Sequence, residues 1–261
     1  MSRVLAVIPA RFSSTRFPGK PLAPLEHGTM LEEVWRRSRE SARIDTLIIA
    51  TDDERIADAA RKFGAETMMT SDTHTSGTDR TAEVLRNRSE DFEIILVIQC
   101  DEPLLSASSL DRLVACFDSD AADMATLSEP LHDVEELFNP NVVKLVVDDR
   151  GHALYFSRSP LPYHRGAETS LRADFRRALA NRRGGLAGYL KHQGLYAYSR
   201  RAMLELTQMK PSSLERDEGL EQLRALTAGY SIRVIESDFR SFSVDTPEDL
   251  KHVATMLTEA N

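Results

Sequence analysis

The stretch RVLAVIPARFSSTRFPGKPL, residues 3–22, joins a short apolar run to a loop rich in basic and hydroxyl residues. The run Val4–Ile8 is continuously apolar, as in a parallel strand buried on both faces. Two similar runs follow at Thr46–Ala50 and Ile94–Ile98. Helical spacing of apolar residues between the runs predicts helices over Met30–Ser41, Asp53–Phe63 and Thr78–Asn87. Strands that alternate with helices predict an α/β fold with a mostly parallel central sheet.

Size and charge narrow the class of protein. The chain has 261 residues, of which 41% are hydrophobic and 28% charged, as is typical of one globular domain spanning residues 1–261. A formal net charge of -8 argues against a nucleic-acid-binding surface. The apolar runs are far shorter than the roughly 20 residues that cross a membrane. Two cysteines are too few for a disulfide framework, which favours a cytoplasmic location.

The pattern changes near Met124, and a smaller β-rich sub-lobe is predicted over about residues 124–200. Val142–Val147, a turn at Asp148–Gly151 and Ala153–Ser157 have the form of a β-hairpin. The remaining predicted segments are a helix or mobile segment at 165–188 and helices at Ser213–Ala228 and Pro247–Leu257.

The loop after the first strand carries three cations. Arg11, Arg16 and Lys20 fall within ten positions, among hydroxyl residues and a glycine. Open α/β sheets bind ligands beyond the carboxyl ends of their strands, so these cations are placed to surround a polyphosphate. The loop has neither the Walker spacing nor Gly-x-Gly-x-x-Gly, which weakens the ATPase and dehydrogenase interpretations. Composition and spacing alone also allow a solvated basic loop.

Two carboxylates are candidates for a metal site. Asp101 lies just past the third apolar run, and Asp245 precedes the helix predicted at Pro247. One or two carboxylates suffice for Mg²⁺ when a nucleotide supplies phosphate oxygens. A single aspartate is more often a turn former or a helix cap, and Asp245 could cap its helix with no metal present.

The turn Thr75-Ser76-Gly77-Thr78-Asp79-Arg80 leads into the third predicted helix. Its hydroxyl and backbone groups could hydrogen-bond a nucleobase or a phosphate. A helix N-cap explains the same residues equally well, so both interpretations stay open. Five polar residues further along form no local motif from which a role could be derived: Arg158, His192, Tyr196, Glu221 and Gln222.

Together these motifs resemble those of the 3-deoxy-manno-octulosonate (Kdo) cytidylyltransferase family. The opening loop marks the wider sugar-nucleotidyltransferase group, and the later segments are more specific. The matching segments run in order through nearly the whole chain: Pro9–Leu22, Ser76–Arg80, Gln99–Pro103, Phe138–Lys144, Ala153–Arg158, Leu220–Arg224 and Val244–Leu250.

The resemblance implies a nucleotide-diphospho-sugar transferase fold, which is Rossmann-like. It also implies Mg²⁺-dependent attack of the anomeric hydroxyl of Kdo, or of a close analogue such as an amino-substituted form, on the α-phosphorus of CTP. The products would be CMP-sugar and pyrophosphate. A cytoplasmic homodimer in lipopolysaccharide biosynthesis is also implied.

The resemblance further assigns residues to three groups. Lys20, Asp101 and Asp245 would be catalytic, and the two aspartates would hold the metal. The CTP-binding residues would be Ala10, Arg11, Arg16, Lys20, Ser76, Arg80 and Gln99. The residues lining the sugar-acid pocket would be Arg158, His192, Tyr196, Glu221 and Gln222.

Two residues depart from the family pattern. Cys100 stands where glycine is usual, and Gln193 where an apolar residue is usual. The sugar acid could therefore differ, with a sialic-acid-like substrate as the alternative, or the chain could bind nucleotide sugars without turnover. Cys100 has no evident base nearby and is not expected to be a nucleophile. A glycosyltransferase is less favoured, because Asp101 alone occupies the place of an Asp-x-Asp motif.

Overall fold

A computed structural model describes residues 2–13, 16–25, 28–119, 122–166 and 172–259. The strands are β1 (Val4–Ala10), β2 (Pro24–Leu25), β3 (Gly28–Thr29), β4 (Thr46–Thr51), β5 (Glu66–Met69), β6 (Ile94–Val97), β7 (Met124–Pro130), β8 (Lys144–Val147), β9 (Ala153–Ser157), β10 (Leu190–Ser199) and β11 (Ile232–Glu236). The helices are α1 (Met30–Ser38), α2 (Glu54–Lys62), α3 (Gly77–Asn87), α4 (Ala107–Ser119), α5 (Val134–Phe138), α6 (Arg172–Ala180), α7 (Arg200–Leu206), α8 (Ser213–Glu218), α9 (Gln222–Thr227) and α10 (Pro247–Glu259), with a 3₁₀ turn at Lys20–Leu22. None of the helices in these described ranges has both the length and the apolar composition needed to cross a bilayer.

The chain divides into two compact units. The first comprises Met1–Ala125, Gly194–Gln208 and Ser237–Asn261. The second comprises Thr126–Gln193 and Met209–Glu236.

A mostly parallel sheet forms the centre of the first unit. β1 pairs in parallel with β4 on one side and with β6 on the other, and β4 pairs in parallel with β5. The last residues of β10 pair antiparallel with β6, which gives the order β10-β6-β1-β4-β5. The predicted α/β class is therefore confirmed, as are the three predicted strands.

Burial and capping explain why these elements form where they do. Residues 4–8 of β1 are fully or almost fully buried, as their continuous apolar run predicts. The helices that follow β4 and β5 begin at side-chain caps, since Asp53 accepts from the Arg55 N–H and Ser76 from the Asp79 N–H. Such caps satisfy backbone donors that the first helical turn leaves unpaired. The carboxyl ends of β4 and β5 thus continue into polar segments that cap the next helix.

The second unit contains the predicted hairpin. β8 pairs antiparallel with β9, although β8 starts at Lys144 rather than at Val142. The first residues of β10 pair antiparallel with β8, and β11 lies beside β7. A buried cluster fills the core near α5 and α6: Leu131, Leu137, Phe175, Leu179 and Tyr189.

One predicted helix is wrong. The segment predicted as a single helix over Ser213–Ala228 forms two helices, α8 and α9. Gly219 takes a left-handed conformation at φ 62°, and its N–H bonds to the Glu215 carbonyl, which ends α8. Within 165–188 the structure has α6, while residues 167–171 lie outside the described part of the chain.

Two methionines in the first unit, one buried and one exposed, allow the effect of burial on stability to be measured with the same substitution. Met30 in α1 is 0% exposed and Met69 in the edge strand β5 is 41% exposed. We expect Met30→Ala to lower the free energy of unfolding by about 2–5 kcal/mol, because it removes packed side-chain atoms and leaves a cavity. Met69→Ala should change it by less than about 1 kcal/mol. Urea unfolding followed by circular dichroism measures both, and equal losses would contradict this account of the core.

Candidate functional site

A pocket in the first unit lies where the parallel strands end. It is bounded by the loop after β1, the start of α3 with the turn before it, the residues after β6, and Asp245 ahead of α10. The lining residues are Pro9, Ala10, Arg11, Arg16, Lys20, Pro21, His74, Thr75, Ser76, Gly77, Arg80, Gln99, Cys100, Asp101 and Asp245. The structure therefore brings together every residue of the predicted CTP and metal groups.

Lys20 connects the two candidate carboxylates. Its Nζ donates to Asp101 Oδ2 at 2.8 Å and to the Val244 carbonyl at 2.8 Å, and lies 3.5 Å from Asp245 Oδ1. Burial disfavours the charged form of Lys20, but the charge and hydrogen bond of Asp101 outweigh burial, so its pKa lies above the ordinary value. A fixed positive charge thus stands between two acids that are far apart in the sequence.

The backbone near Lys20 is shaped by a glycine. Gly19 has φ 73°, a left-handed conformation that other residues rarely adopt, and its N–H donates to the Phe12 carbonyl at 2.9 Å. A Cβ at Gly19 would lie 3.1 Å from Cζ of the Phe12 ring. Conformation and packing together fix this end of the loop, whereas residues 14 and 15 lie outside the described ranges.

Asp245 does not cap its helix, so that interpretation of the sequence is wrong. The Thr246 hydroxyl accepts from the Asp249 N–H at 3.2 Å, and Asp249 Oδ2 accepts from the N–H groups of Thr246 and Asp245. The Asp245 carboxylate faces basic groups instead, with Arg16 Nη2 at 3.1 Å from Oδ1. The Val244 N–H donates to the Asp101 carbonyl at 2.9 Å, which holds the segments of the two aspartates together.

The donor set of this pocket suits a hard divalent cation that also binds a ligand. Asp101 and Asp245 both face one ammonium group, so their oxygens already surround a position for positive charge. Across the residues that the structure describes, no cluster of three or more His, Cys, Asp or Glu side chains could hold a metal alone. Two carboxylates fit Mg²⁺ when phosphate oxygens and water complete its coordination.

The turn before α3 serves both roles that its sequence left open. Ser76 caps the helix and also lines the pocket. Arg80, only 4% exposed, donates to the Thr70 hydroxyl and lies 3.4 Å from Asp52 Oδ2. Gly77 packs closely on the end of β1, since a Cβ there would lie 2.9 Å from Pro9 Cγ. Arg80 therefore enters the pocket with its guanidinium already oriented.

Cys100 is buried and lines the same pocket. Burial, with a smaller effect of the Asp101 charge, raises the pKa of its thiol to about 12. The thiol is protonated at neutral pH, which agrees with the prediction that Cys100 is not a nucleophile.

The lining residues do not include any of the five predicted sugar-acid residues. Arg158 belongs to the second unit, where its guanidinium donates to the carbonyls of Glu218 at 2.7 Å and Pro140 at 2.8 Å. The main-chain N–H of Arg158 donates to the Glu218 carboxylate, and its main-chain carbonyl accepts from Lys144 Nζ. Arg158 is thus held firmly by its own unit.

The remaining four have varied environments. His192 Nε2 lies 2.9 Å from the Thr126 hydroxyl, and burial lowers the pKa of its ring to about 3. Glu221 immediately precedes α9, and Gln222 opens it with a buried side chain whose Nε2 finds no hydrogen-bond partner among the described residues. Tyr196 lies on β10 in the first unit, opposite Val97. Their roles toward a sugar acid stay predictions.

Sequence reasoning missed His74 as a pocket residue. It follows β5, a strand that the sequence did not predict because its four residues, ETMM, are only partly buried. The position of His74 between a parallel strand and the next helix could have identified it, because such turns lie at the ligand-binding edge of the sheet.

The chain is similar to known proteins over residues of both units. The family model described as Cytidylyltransferase matches residues 5–234. The chain is 45% identical to the 3-deoxy-manno-octulosonate cytidylyltransferase of Solibacter usitatus, covering 97% of this chain and 94% of that relative. It is 44% identical to the protein of the same name from Geobacter metallireducens, covering 98% of each.

Solved structures give the same result. CMP:2-keto-3-deoxy-manno-octonic acid synthetase, solved in complex with CTP, is 37% identical with a TM-score of 0.87, and the match covers 100% of both chains. The 4-diphosphocytidyl-2C-methyl-D-erythritol synthase of Anaerococcus prevotii has a TM-score of 0.62 at 13% identity, covering 98% of this chain and 99% of that one. The second likeness shows the fold alone.

Acid sensitivity of the second unit should depend on His192. The pKa of this ring is about 3 in the folded protein and about 6.5 when unfolded, so the unfolded state binds more protons between these values. Stability is therefore lost as pH falls below about 6.5, by at most about 1.4 kcal/mol per pH unit from this group. We expect His192→Gln to flatten the pH dependence of the free energy of unfolding, measured by urea denaturation from pH 7.5 to 4.5.

A matched control is His252→Gln, which replaces an exposed histidine on α10. It should leave the slope as in the wild type. An unchanged slope in His192→Gln would show that this ring is accessible to protons in the folded chain.

Proposed function

This chain belongs to the cytidylyltransferase family, and from that premise we propose that it activates Kdo with CTP. The anomeric hydroxyl of the sugar acid attacks the α-phosphorus, and the bond from that phosphorus to the β-phosphate oxygen breaks. The products are CMP-Kdo and pyrophosphate. The observation that carries the proposal is the convergence of Lys20, Asp101 and Asp245 on one pocket, in a chain with full-length relatives of this name.

Charge stabilisation is the main task of the pocket residues. Nucleotidyl transfer requires little covalent chemistry from the protein, so positioning and neutralising the triphosphate supply most of the catalysis. Arg11 and Arg16 are exposed and can turn onto phosphate oxygens, while Lys20 is held in place by Asp101 and Val244. Lys20 keeps its proton because its pKa is raised, so its charge is present throughout the reaction.

We further propose that Asp101 and Asp245 hold Mg²⁺. When bound, the ion would supply positive charge at the α-phosphate and lower the pKa of the attacking hydroxyl. Thr246 and Asp249 satisfy the helix start, which leaves the Asp245 carboxylate available to a cation.

The wider setting rests on family membership. We propose that the protein works as a cytoplasmic homodimer and that its product enters lipopolysaccharide biosynthesis. Cys100 and Cys116 are not joined by a disulfide, in keeping with a reducing compartment. Arg158, His192, Tyr196, Glu221 and Gln222 are proposed to bind the sugar acid.

A substrate panel tests the reaction. We expect pyrophosphate release from CTP and Mg²⁺ with Kdo, little release with a sialic acid, and none after chelation with EDTA. A sialic acid as the preferred substrate would replace Kdo in the proposal. Tight CTP binding without turnover on any sugar acid would show a binding protein in place of an enzyme.

Removing the central charge should abolish most activity. Lys20→Met loses a unit charge worth on the order of 4 kcal/mol at close range, so we expect kcat to fall by at least about 100-fold. The matched control is Lys62→Met, an exposed lysine at the end of α2, which should keep the normal rate. Circular dichroism checks that both variants fold, and a near-normal kcat in folded Lys20→Met would remove this residue from the mechanism.

A further inference from the structure

His74 is a pocket residue with a fixed orientation. It lies in the connection between β5 and α3 and lines the pocket together with Thr75, Ser76 and Gly77. The cations that can hold a triphosphate, Arg11, Arg16 and Lys20, come from the loop after β1. The β5–α3 connection instead offers mainly uncharged polar groups, which suit the nucleoside part of a ligand.

A carboxylate determines which ring nitrogen of His74 carries hydrogen. His74 Nε2 is hydrogen-bonded to Glu83 Oε2, and the same oxygen accepts the Ser71 N–H at 3.0 Å. Burial acts to raise the pKa of Glu83, but the hydrogen bonds from Ser71 and His74 and the nearby charge of Arg80 outweigh it and lower the pKa. An ionised carboxylate only accepts hydrogen bonds. In the neutral ring Nε2 is therefore the donor and Nδ1 carries the lone pair.

This fixed polarity distinguishes His74 from its polar neighbours in the pocket. The amide of Gln99 and the hydroxyl of Thr75 can each rotate to donate or to accept. The Ser76 oxygen accepts the Asp79 N–H, which directs its own hydrogen elsewhere. Groups that rotate tolerate either kind of partner, whereas a fixed acceptor rejects another acceptor.

Cytosine and uracil differ in the group at position 4 of the ring, which is an amino donor in cytosine and a carbonyl acceptor in uracil. We propose that His74 Nδ1 accepts a hydrogen bond from the 4-amino group of the base, so that His74 selects CTP over UTP. Glu83 is a positioning residue that acts through His74. This assignment rests on the proposed function, because it requires a cytidine nucleotide in the pocket.

Binding of nucleotides in the absence of sugar acid tests the proposal. Calorimetry with Mg²⁺ compares CTP, UTP, dCTP and the pyrimidin-2-one riboside triphosphate, which lacks any group at position 4. The wild-type protein should bind CTP at least about 10-fold more tightly than UTP, the equivalent of one well-placed hydrogen bond. In His74→Leu the ratio should fall below about 3-fold, with the loss mostly in CTP affinity.

A control variant and the pattern of nucleotide affinities distinguish this proposal from other roles of His74. His132→Leu, which replaces an exposed histidine of the second unit, should keep the wild-type ratio. An unchanged CTP-to-UTP ratio in His74→Leu would overturn the proposal, and so would equal weakening of both nucleotides, which indicates a structural role. A change confined to the CTP-to-dCTP ratio would assign His74 to the ribose and also overturn it.

Glu83→Gln provides a second test that does not depend on His74→Leu folding. The amide can rotate and no longer fixes the tautomer of His74, so the CTP-to-UTP ratio should fall while His74 remains in place. A wild-type ratio in Glu83→Gln would overturn the positioning role. Failure of the proposed function has a separate signature, namely that the wild-type protein binds CTP but transfers no CMP to any sugar acid.

Discussion

The ammonium group of Lys20 is the constraint on which the pocket depends. Asp101 follows β6 and Asp245 precedes α10, and a backbone hydrogen bond from Val244 to Asp101 joins their segments. The two carboxylates would still repel each other without a shared cation. Lys20 supplies that cation and binds the Val244 carbonyl as well. The charged groups are only partly exposed, and their mutual attraction is therefore stronger than it would be in water. Three distant segments are thereby held around one centre.

The start of α10 shows how a carboxylate is kept facing the pocket. Aspartates at helix starts usually bind backbone N–H groups, and such a bond would turn Asp245 away from the pocket. Thr246 and Asp249 perform that task between them. Helix capping and pocket lining thus use different side chains, although all three residues lie within five positions.

The central strands with continuous apolar runs were predictable from sequence. β10, which also buries polar side chains, was not. The runs at β1, β4 and β6 are apolar because both faces of a central parallel strand are covered. β10 alternates in burial, but Lys191 and Gln193 occupy two of its buried positions, which hides the apolar period. Lys191 is stable there because Glu129 and Glu136 neutralise it. Partners so distant in sequence leave no local pattern.

The candidate site was predictable to a similar degree. Cations and aspartates after strands indicated a phosphate and metal site at the sheet edge, and the structure brings those residues together. The sugar-acid residues had no local signal and came from family resemblance alone. His74 was missed because its orientation depends on Glu83, one turn beyond Asp79 on α3, and because β5 is too short to show a period.

The thiol of Cys100 also affects how the pocket withstands chemical damage. Peroxides and alkylating agents react with the thiolate, and a pKa of about 12 leaves almost none of that form at neutral pH. A sulfur atom beside Asp101 therefore need not make the protein sensitive to oxidative stress. Bulk and polarisability are retained at that position, while the usual redox liability of a cysteine is suppressed by its surroundings.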